Sequence, residues 1–310
     1  MGKPRPAELV LGSVQLGLAY GAANRTGKPS REAALSLVRR AADAGISTFD
    51  TARCYGDSEE RLGEAFAGRK PIRAITKLSP LTELPPNASK EEVRNAVDAS
   101  IVQSLLALQR KHLDCLLLHR AAHINAFGGA IWNRVVEHYK AGTIRALGVS
   151  VQNPAEVFMV LEHREVQHIQ LPFNLFDWRW KERGVTSRLK AHHDITVHAR
   201  SVFLQGILAA RDASVWPDIE GVNAEELVHL IGKLAHEFGR ESPADLCMAY
   251  ARAQDWIDGV VIGMETEAQL DANLRLSVKP PLSIEDRAWL ETMLPRVPER
   301  LLDPARWAGG

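Results

Sequence analysis

A single closed (β/α)8 barrel is the fold class that this 310-residue sequence predicts. Short apolar, β-branched runs recur eight times along the chain, and helical patterns alternate with them. No composition shift or long linker interrupts the series. The runs are continuously apolar, as parallel strands buried on both faces must be. The chain is longer than the usual single domain, but barrels of this kind reach such lengths, so residues 1–310 are read as one domain. The competing architecture is an open doubly wound sheet, which carries a GxGxxG turn after its first strand. GSVQLGLAYG has its glycines at 12, 17 and 21, the wrong spacing for that turn.

The elements follow in order. LVLGSV (9–14) is the first strand, and SREAALSLVRRAADAG (30–45) is the first long helix, with Ser30 at its N-cap and Gly45 at its stop. ISTFD (46–50) leads into the helical SEERLGEAFAG (58–68). IRAITK (72–77) is followed by a surface loop, PLTELPPNASK (80–90), and by the helix KEEVRNAVDASIVQSLLALQRKH (90–112). LDCLLLH (113–119) precedes the helix IWNRVVEHYKAG (131–142), and IRALGVS (144–150) and HIQLPF (168–173) are the fifth and sixth strands. ITVHARS (195–201), the helix NAEELVHLIGKLAHEFG (223–239) and GVVIG (259–263) complete the series, and the Pro-rich end reads as loop and tail.

Composition excludes several classes. Lys and Arg number 38, and so do Asp and Glu, so no basic face exists for a phosphate backbone, and nucleic-acid binding is not expected. MGKPRPAELVLGSV lacks the apolar run of a signal peptide, and no stretch approaches a membrane span. Pro6 breaks the lipidation pattern that Met1–Gly2 suggests. Cys54, Cys115 and Cys247 are isolated, which points to a reducing, cytoplasmic setting and to thiols that pack. His192, His193 and His198 have no carboxylate at ligand spacing, so no metal site is expected. The seven Trp residues are read as barrel-shell packing.

Chemistry in a barrel sits where the strands end at their C-termini. Asp50 ends the second strand, Lys77 the third and His119 the fourth, while Tyr55 lies in the loop after Asp50. A phenol with a reference pKa of about 10 exchanges protons poorly near neutrality, and a neighbouring ammonium pulls that value down. Asp50 would keep Lys77 charged, and His119 would hydrogen-bond a substrate carbonyl or relay its proton. The set makes a general acid for an oxyanion formed at a reduced carbonyl. Singly, each residue has a plainer role: Asp50 as a cap, Lys77 as a solvated charge, Tyr55 as a half-buried ring.

FDTARCYGDSEERLG, ITK, LLLHR and AGTIRALGVS, in this order on successive strands, resemble the aldo-keto reductase superfamily. That resemblance implies a (β/α)8 barrel using NADP(H) or NAD(H), with Asp50, Tyr55, Lys77 and His119 as its catalytic tetrad and Tyr55 as proton donor. It implies that Gln15, Ser150 and Gln170 belong to the cofactor site, the last two on the nicotinamide carboxamide, with Val151 where an Asn is usual. Asn174 either joins the pocket or ends the strand. Arg200 stands where an aromatic residue often stacks on the nicotinamide, and Ser201, Phe203 and Gly206 fit the loop over the pyrophosphate. Gly263, Gln269 and Asn273 match the adenosine end. Glu265 and Glu267 weaken the case for a 2′-phosphate, Arg275 offsets it, and the choice of cofactor stays open.

The expected function is NAD(P)(H)-dependent reduction of an aldehyde or ketone, or the reverse. LGSVQLGLAYG, GVSV and IQLPFN look closer to bacterial relatives linked to sugar or polysaccharide metabolism, so a sugar or keto-sugar is the expected substrate class. A cofactor-binding regulatory subunit with little turnover is the alternative. A Schiff-base aldolase built on Lys77 is a third reading, disfavoured by Asp50 and the dinucleotide segments. The sequence sets no oligomeric state.

Overall fold

A computed structural model of the chain describes residues 6–69 and 72–307. The Met1–Gly2 start and the last three residues of the expected 1–310 domain lie outside the described residues. Eight parallel strands close into a barrel in sequence order. They are β1 (Glu8–Gly12), β2 (Thr48–Asp50), β3 (Arg73–Lys77) and β4 (Cys115–Leu118), then β5 (Leu147–Ser150), β6 (Val166–Pro172), β7 (Thr196–Arg200) and β8 (Gly259–Gly263). Closure comes from β1 against β8, in register from Glu8 with Gly259 to Gly12 with Gly263.

The predicted runs locate every strand, with edges that shift. The apolar run at 113 contracts to Cys115–Leu118 because Leu113 makes only an isolated bridge to Ile144. β6 begins two residues before its predicted start. The helices begin where polar caps stand. Ser30 accepts a hydrogen bond from the Ala33 N–H, and Ser89 and Glu92 form a reciprocal capping box. After β6 the helical layer is broken into Arg179–Glu182 and Val185–Lys190, with Gly184 left-handed at φ 76° between them. Two helices, Ala224–Glu237 and Pro243–Arg252, follow β7. No helix of the described residues is long and apolar enough to cross a membrane.

Apolar side chains between strands and helices form one large core, and Ile75, Cys115 and Leu117 form a small cluster of their own. Polar residues accompany that small cluster on the same strands. Cys115 and Cys247 are buried packing residues as expected, whereas Cys54 is exposed. His198 does not share a site with His192 and His193: its ring meets that of His168 edge-on, 4.3 Å between centroids. Both imidazoles are buried, and neither His168 nitrogen finds a partner among the described residues. Burial, with repulsion from nearby charged groups, pushes His198 down to about 3 and His168 well below its ordinary value.

These two depressed values give stability a pH dependence. The unfolded chain takes up a proton on each ring as pH falls through about 6.5, and the folded chain does not. Stability is therefore complete above that pH and falls below it, by roughly 1 kcal/mol at pH 5.5 for each ring that stays un-ionised in the fold. Urea unfolding at pH 7.5 and 5.5 should show this loss, and His168→Met with His198→Met should flatten the slope. An unchanged slope in the double variant would mean that the folded barrel already accommodates the charged rings.

Candidate active site

The register of β2 on β3 places Asp50 opposite Ile75, and Lys77 follows on the same side of its strand. Lys77 Nζ donates to Asp50 Oδ1 at 2.6 Å and to the Thr51 carbonyl at 2.9 Å. Gln170 Nε2 donates to Asp50 Oδ2 at 2.7 Å. Both carboxylate oxygens are thus engaged, and all three side chains are buried. Asp50 is no helix cap; Asp57 occupies that position. Burial opposes the ammonium, but Asp50 and then Tyr55 outweigh it and hold the Lys77 pKa above its ordinary value.

The loop after β2 carries Tyr55 over this pair. Its backbone is fixed by Tyr55 N–H on the Ala52 carbonyl and Ser58 N–H on the Tyr55 carbonyl. Beneath it, the Ser13 hydroxyl donates to the Asp50 carbonyl at 2.8 Å, and Ser58 Oγ lies 2.6 Å from Ser13 Oγ. Two glycines let the backbones close. A Cβ on Gly17 would stand 1.8 Å from the Tyr55 carbonyl oxygen, and one on Gly56, left-handed at φ 57°, would stand 2.4 Å from the Gly17 carbonyl oxygen. The Tyr55 ring therefore lies with Lys77 Nζ 4.8 Å from its centroid and the His119 ring edge-on at 5.8 Å.

The structure brings the four predicted residues together, with one electrostatic correction. The expectation was a phenol pulled below its ordinary value; burial outweighs the pull of Lys77, and the Tyr55 pKa is raised. Burial, then repulsion from Lys77, Arg200 and Arg120, pushes His119 down to about 3. At neutral pH the rim therefore presents an un-ionised phenol and an un-ionised imidazole. The imidazole also touches a residue that the sequence reading left aside: Cys54 Sγ is 3.3 Å from His119 Nδ1.

A cavity of about 930 Å3 opens over this rim, and Asp50, Tyr55 and His119 are on its wall while Lys77 lies behind it. Ser150, Arg200 and Ser201 line the same cavity, as do Phe203 and Gly206. Gln15, Gly263, Gln269 and Asn273 line it too. Gln170 is not on the wall; it sits beneath, aiming Asp50, with its Oε1 unpartnered. Asn174 is also off the wall, two residues past β6, its Oδ1 accepting from the Phe176 N–H in the turn that follows. Arg200 is tethered by Gln152 Oε1 at 2.6 Å and the Val151 carbonyl at 3.3 Å. Gln152 went unnoticed in the sequence, although its place two residues past β5 is a strand-end position.

The loop after β7 is bent hard. Ser201, Leu204, Gln205 and Gly206 all have positive φ, the first three without being glycine. The N–H groups of Val202, Phe203 and Gln205 have no acceptor among the described residues, and these residues line the cavity. At the far end, Glu265 and Gln269 hold each other: Glu265 N–H donates to Gln269 Oε1 at 2.8 Å, and Gln269 Nε2 to Glu265 Oε1 at 2.9 Å. Glu267 instead points to Ser36 and Arg40, away from the cavity. Arg275 reaches the wall with Glu241 3.3 Å away.

Comparison with known proteins places this geometry. The pattern of the Aldo/keto reductase family matches residues 8–294. A 6-dehydroglucose reductase from Novosphingobium aromaticivorans is 34% identical over 129 residues, 38% of this chain and 41% of that relative's length. The chain thus spans less than half of that relative. An aldo-keto reductase from Bacillus halodurans, in its holo form, superposes with a TM-score of 0.73 at 23% identity, covering 94% of this chain and 93% of the other. The glycerol dehydrogenase from Gluconobacter oxydans gives 0.72 at 23% identity, covering 94% and 92%. Identities this low speak to the fold alone.

The Asp50–Lys77 pair generates a stability test. Lys77→Met leaves a buried carboxylate with Gln170 alone and should cost about 3–5 kcal/mol at pH 7. Adding Asp50→Asn should return much of that loss, because the stranded charge goes with it. Urea unfolding of both variants measures the coupling; additive costs would show that the pair is not the constraint described.

Proposed function

The chain belongs to the aldo/keto reductase family, and on that premise we propose that it is an oxidoreductase that reduces an aldehyde or ketone to an alcohol, or runs the reverse, with a nicotinamide cofactor and Tyr55 as proton donor. The observation that carries the reading is the convergence of Tyr55, His119 and the buried Asp50–Lys77 pair on one cavity wall.

The residues present fit such a cofactor. Free backbone N–H groups at Val202, Phe203 and Gln205 suit a pyrophosphate. Gln15, with an unpartnered side-chain oxygen, and Ser150 both stand on the wall, and their oxygens suit the amide hydrogens of a nicotinamide carboxamide. When bound, the reduced nicotinamide supplies a hydride to the carbonyl carbon. The chain's own residues handle the proton. Tyr55 gives its phenolic proton to the carbonyl oxygen, Lys77 stabilises the phenolate left behind, and Asp50 with Gln170 keeps Lys77 charged and aimed. His119, un-ionised, hydrogen-bonds the same oxygen and orients it. A sugar or keto-sugar is the proposed substrate class, supported by the polar wall around His119, Arg120 and Gln152 and by the Novosphingobium relative's name as a 6-dehydroglucose reductase.

Glu265 bears on the cofactor. A carboxylate at the adenosine end accepts a hydrogen bond from a ribose 2′-hydroxyl and repels a 2′-phosphate. Glu265 has no cationic partner among the described residues, and Arg275 is already beside Glu241. NADH should therefore bind at least as tightly as NADPH, read by quenching of tryptophan fluorescence. An NADPH preference above about a hundredfold, some 2.7 kcal/mol, would contradict this, and Glu265→Gln should move the ratio toward NADPH.

Tyr55→Phe removes one hydroxyl and keeps the ring. Turnover across a panel of aldehydes and sugars should drop about 10²- to 10⁴-fold, with cofactor affinity and thermal midpoint nearly unchanged. Near-full turnover in that variant would make Tyr55 a packing residue.

A further inference from the structure

Resting on the reductase reading, we propose that Cys54 is a positioning residue: its thiol donates to His119 Nδ1, holds the imidazole as the Nε2–H tautomer, and so aims a neutral N–H donor at the substrate oxygen beside the Tyr55 hydroxyl.

The geometry leaves little choice of arrangement. Cys54 Sγ lies 3.3 Å from His119 Nδ1, and both residues are on the cavity wall. The thiol has no other hydrogen-bond partner among the described residues, so its proton has one acceptor within reach. A neutral imidazole carries one N–H, and whichever nitrogen accepts a hydrogen bond leaves the proton on the other. Nε2 is the nitrogen left for the cavity, and no group of the described residues bonds to it. Tyr55 cannot set the tautomer, because it meets His119 edge-on, ring to ring. Among the described residues no carboxylate or backbone carbonyl reaches Nδ1, the usual device for orienting a histidine. Here a thiol fills that place.

Two further observations agree. Burial, with Lys77, Arg200 and Arg120 near, keeps His119 un-ionised, so a tautomer is there to be chosen. Although part of Cys54 is exposed, desolvation where its sulfur meets the cavity wall raises the thiol pKa, so the sulfur keeps its proton and acts as donor rather than as thiolate. The opposite tautomer would spend its N–H on a weak sulfur acceptor and turn a bare nitrogen lone pair toward the substrate oxygen, which repels it.

The readout is the tautomer itself. The full chain, labelled with 15N-histidine, is studied by long-range 1H–15N correlation, with the His119 signals identified by their loss in His119→Gln. Wild type should show Nδ1 bare and Nε2 protonated. Cys54→Ala should populate the Nδ1–H form, and Cys54→Ser, whose hydroxyl donates as the thiol does, should restore the wild-type pattern. Turnover should follow in parallel: kcat about fivefold lower in Cys54→Ala, the net worth of one neutral hydrogen bond, unchanged cofactor affinity, and recovery in Cys54→Ser. A wild-type ring protonated at Nδ1, or a Cys54→Ala ring that keeps the wild-type tautomer, overturns the proposal. A wild-type chain that turns over no carbonyl compound overturns the reductase reading instead, and the tautomer measurement remains decisive by itself.

Discussion

A lysine ammonium buried beneath a barrel rim stays charged only with a carboxylate against it, and the rest of the candidate site is arranged around that condition. Asp50 can serve because Gln170 and Lys77 occupy its two oxygens, so neither lone-pair set is left facing apolar wall. The pair in turn fixes the neighbouring ionisations. It places a positive charge under the Tyr55 ring and contributes to keeping His119 neutral. A single ion pair, made by adjacent strands, thereby assigns one role to each titratable group above it.

The cavity is uneven in charge from end to end. Arg120 and Arg200 stand near the candidate catalytic rim, whereas Glu265 makes no ion pair among the described residues and Arg275, on the same wall, is paired with Glu241. Between them lies a bent loop with free N–H groups. Net charge over the whole sequence is zero, so this polarity is a property of placement and not of composition. Recognition in such a cavity depends on where charges stand along its length.

Much of this was legible in the sequence, and the exceptions have physical reasons. All eight strands announced themselves because both their faces are buried. The four rim residues could be named because strand ends are the positions a barrel reserves for chemistry. What sequence could not weigh was a balance of opposing effects at one atom. Lys77 does pull on Tyr55, but burial pulls harder. Gln170 was expected at the cofactor from the family resemblance, and only the side-chain geometry shows its amide nitrogen spent on Asp50. Arg200's tether to Gln152 and Cys54's contact with His119 join segments 48 and 65 residues apart. Neither pairing leaves a local pattern.

The close pass of Gly17 against the Tyr55 loop has a bearing on how such a site can diversify. The Tyr55 hydroxyl is located by main chain meeting main chain, with no side chain between to be exchanged for a larger or smaller one. The residues around the cavity mouth carry no such restriction. Drift in those outer positions can therefore alter which molecules are admitted while the Tyr55 hydroxyl keeps its coordinates. Ancestral substitutions that broaden or narrow substrate range should gather on the wall, and the two glycines should stand outside that traffic.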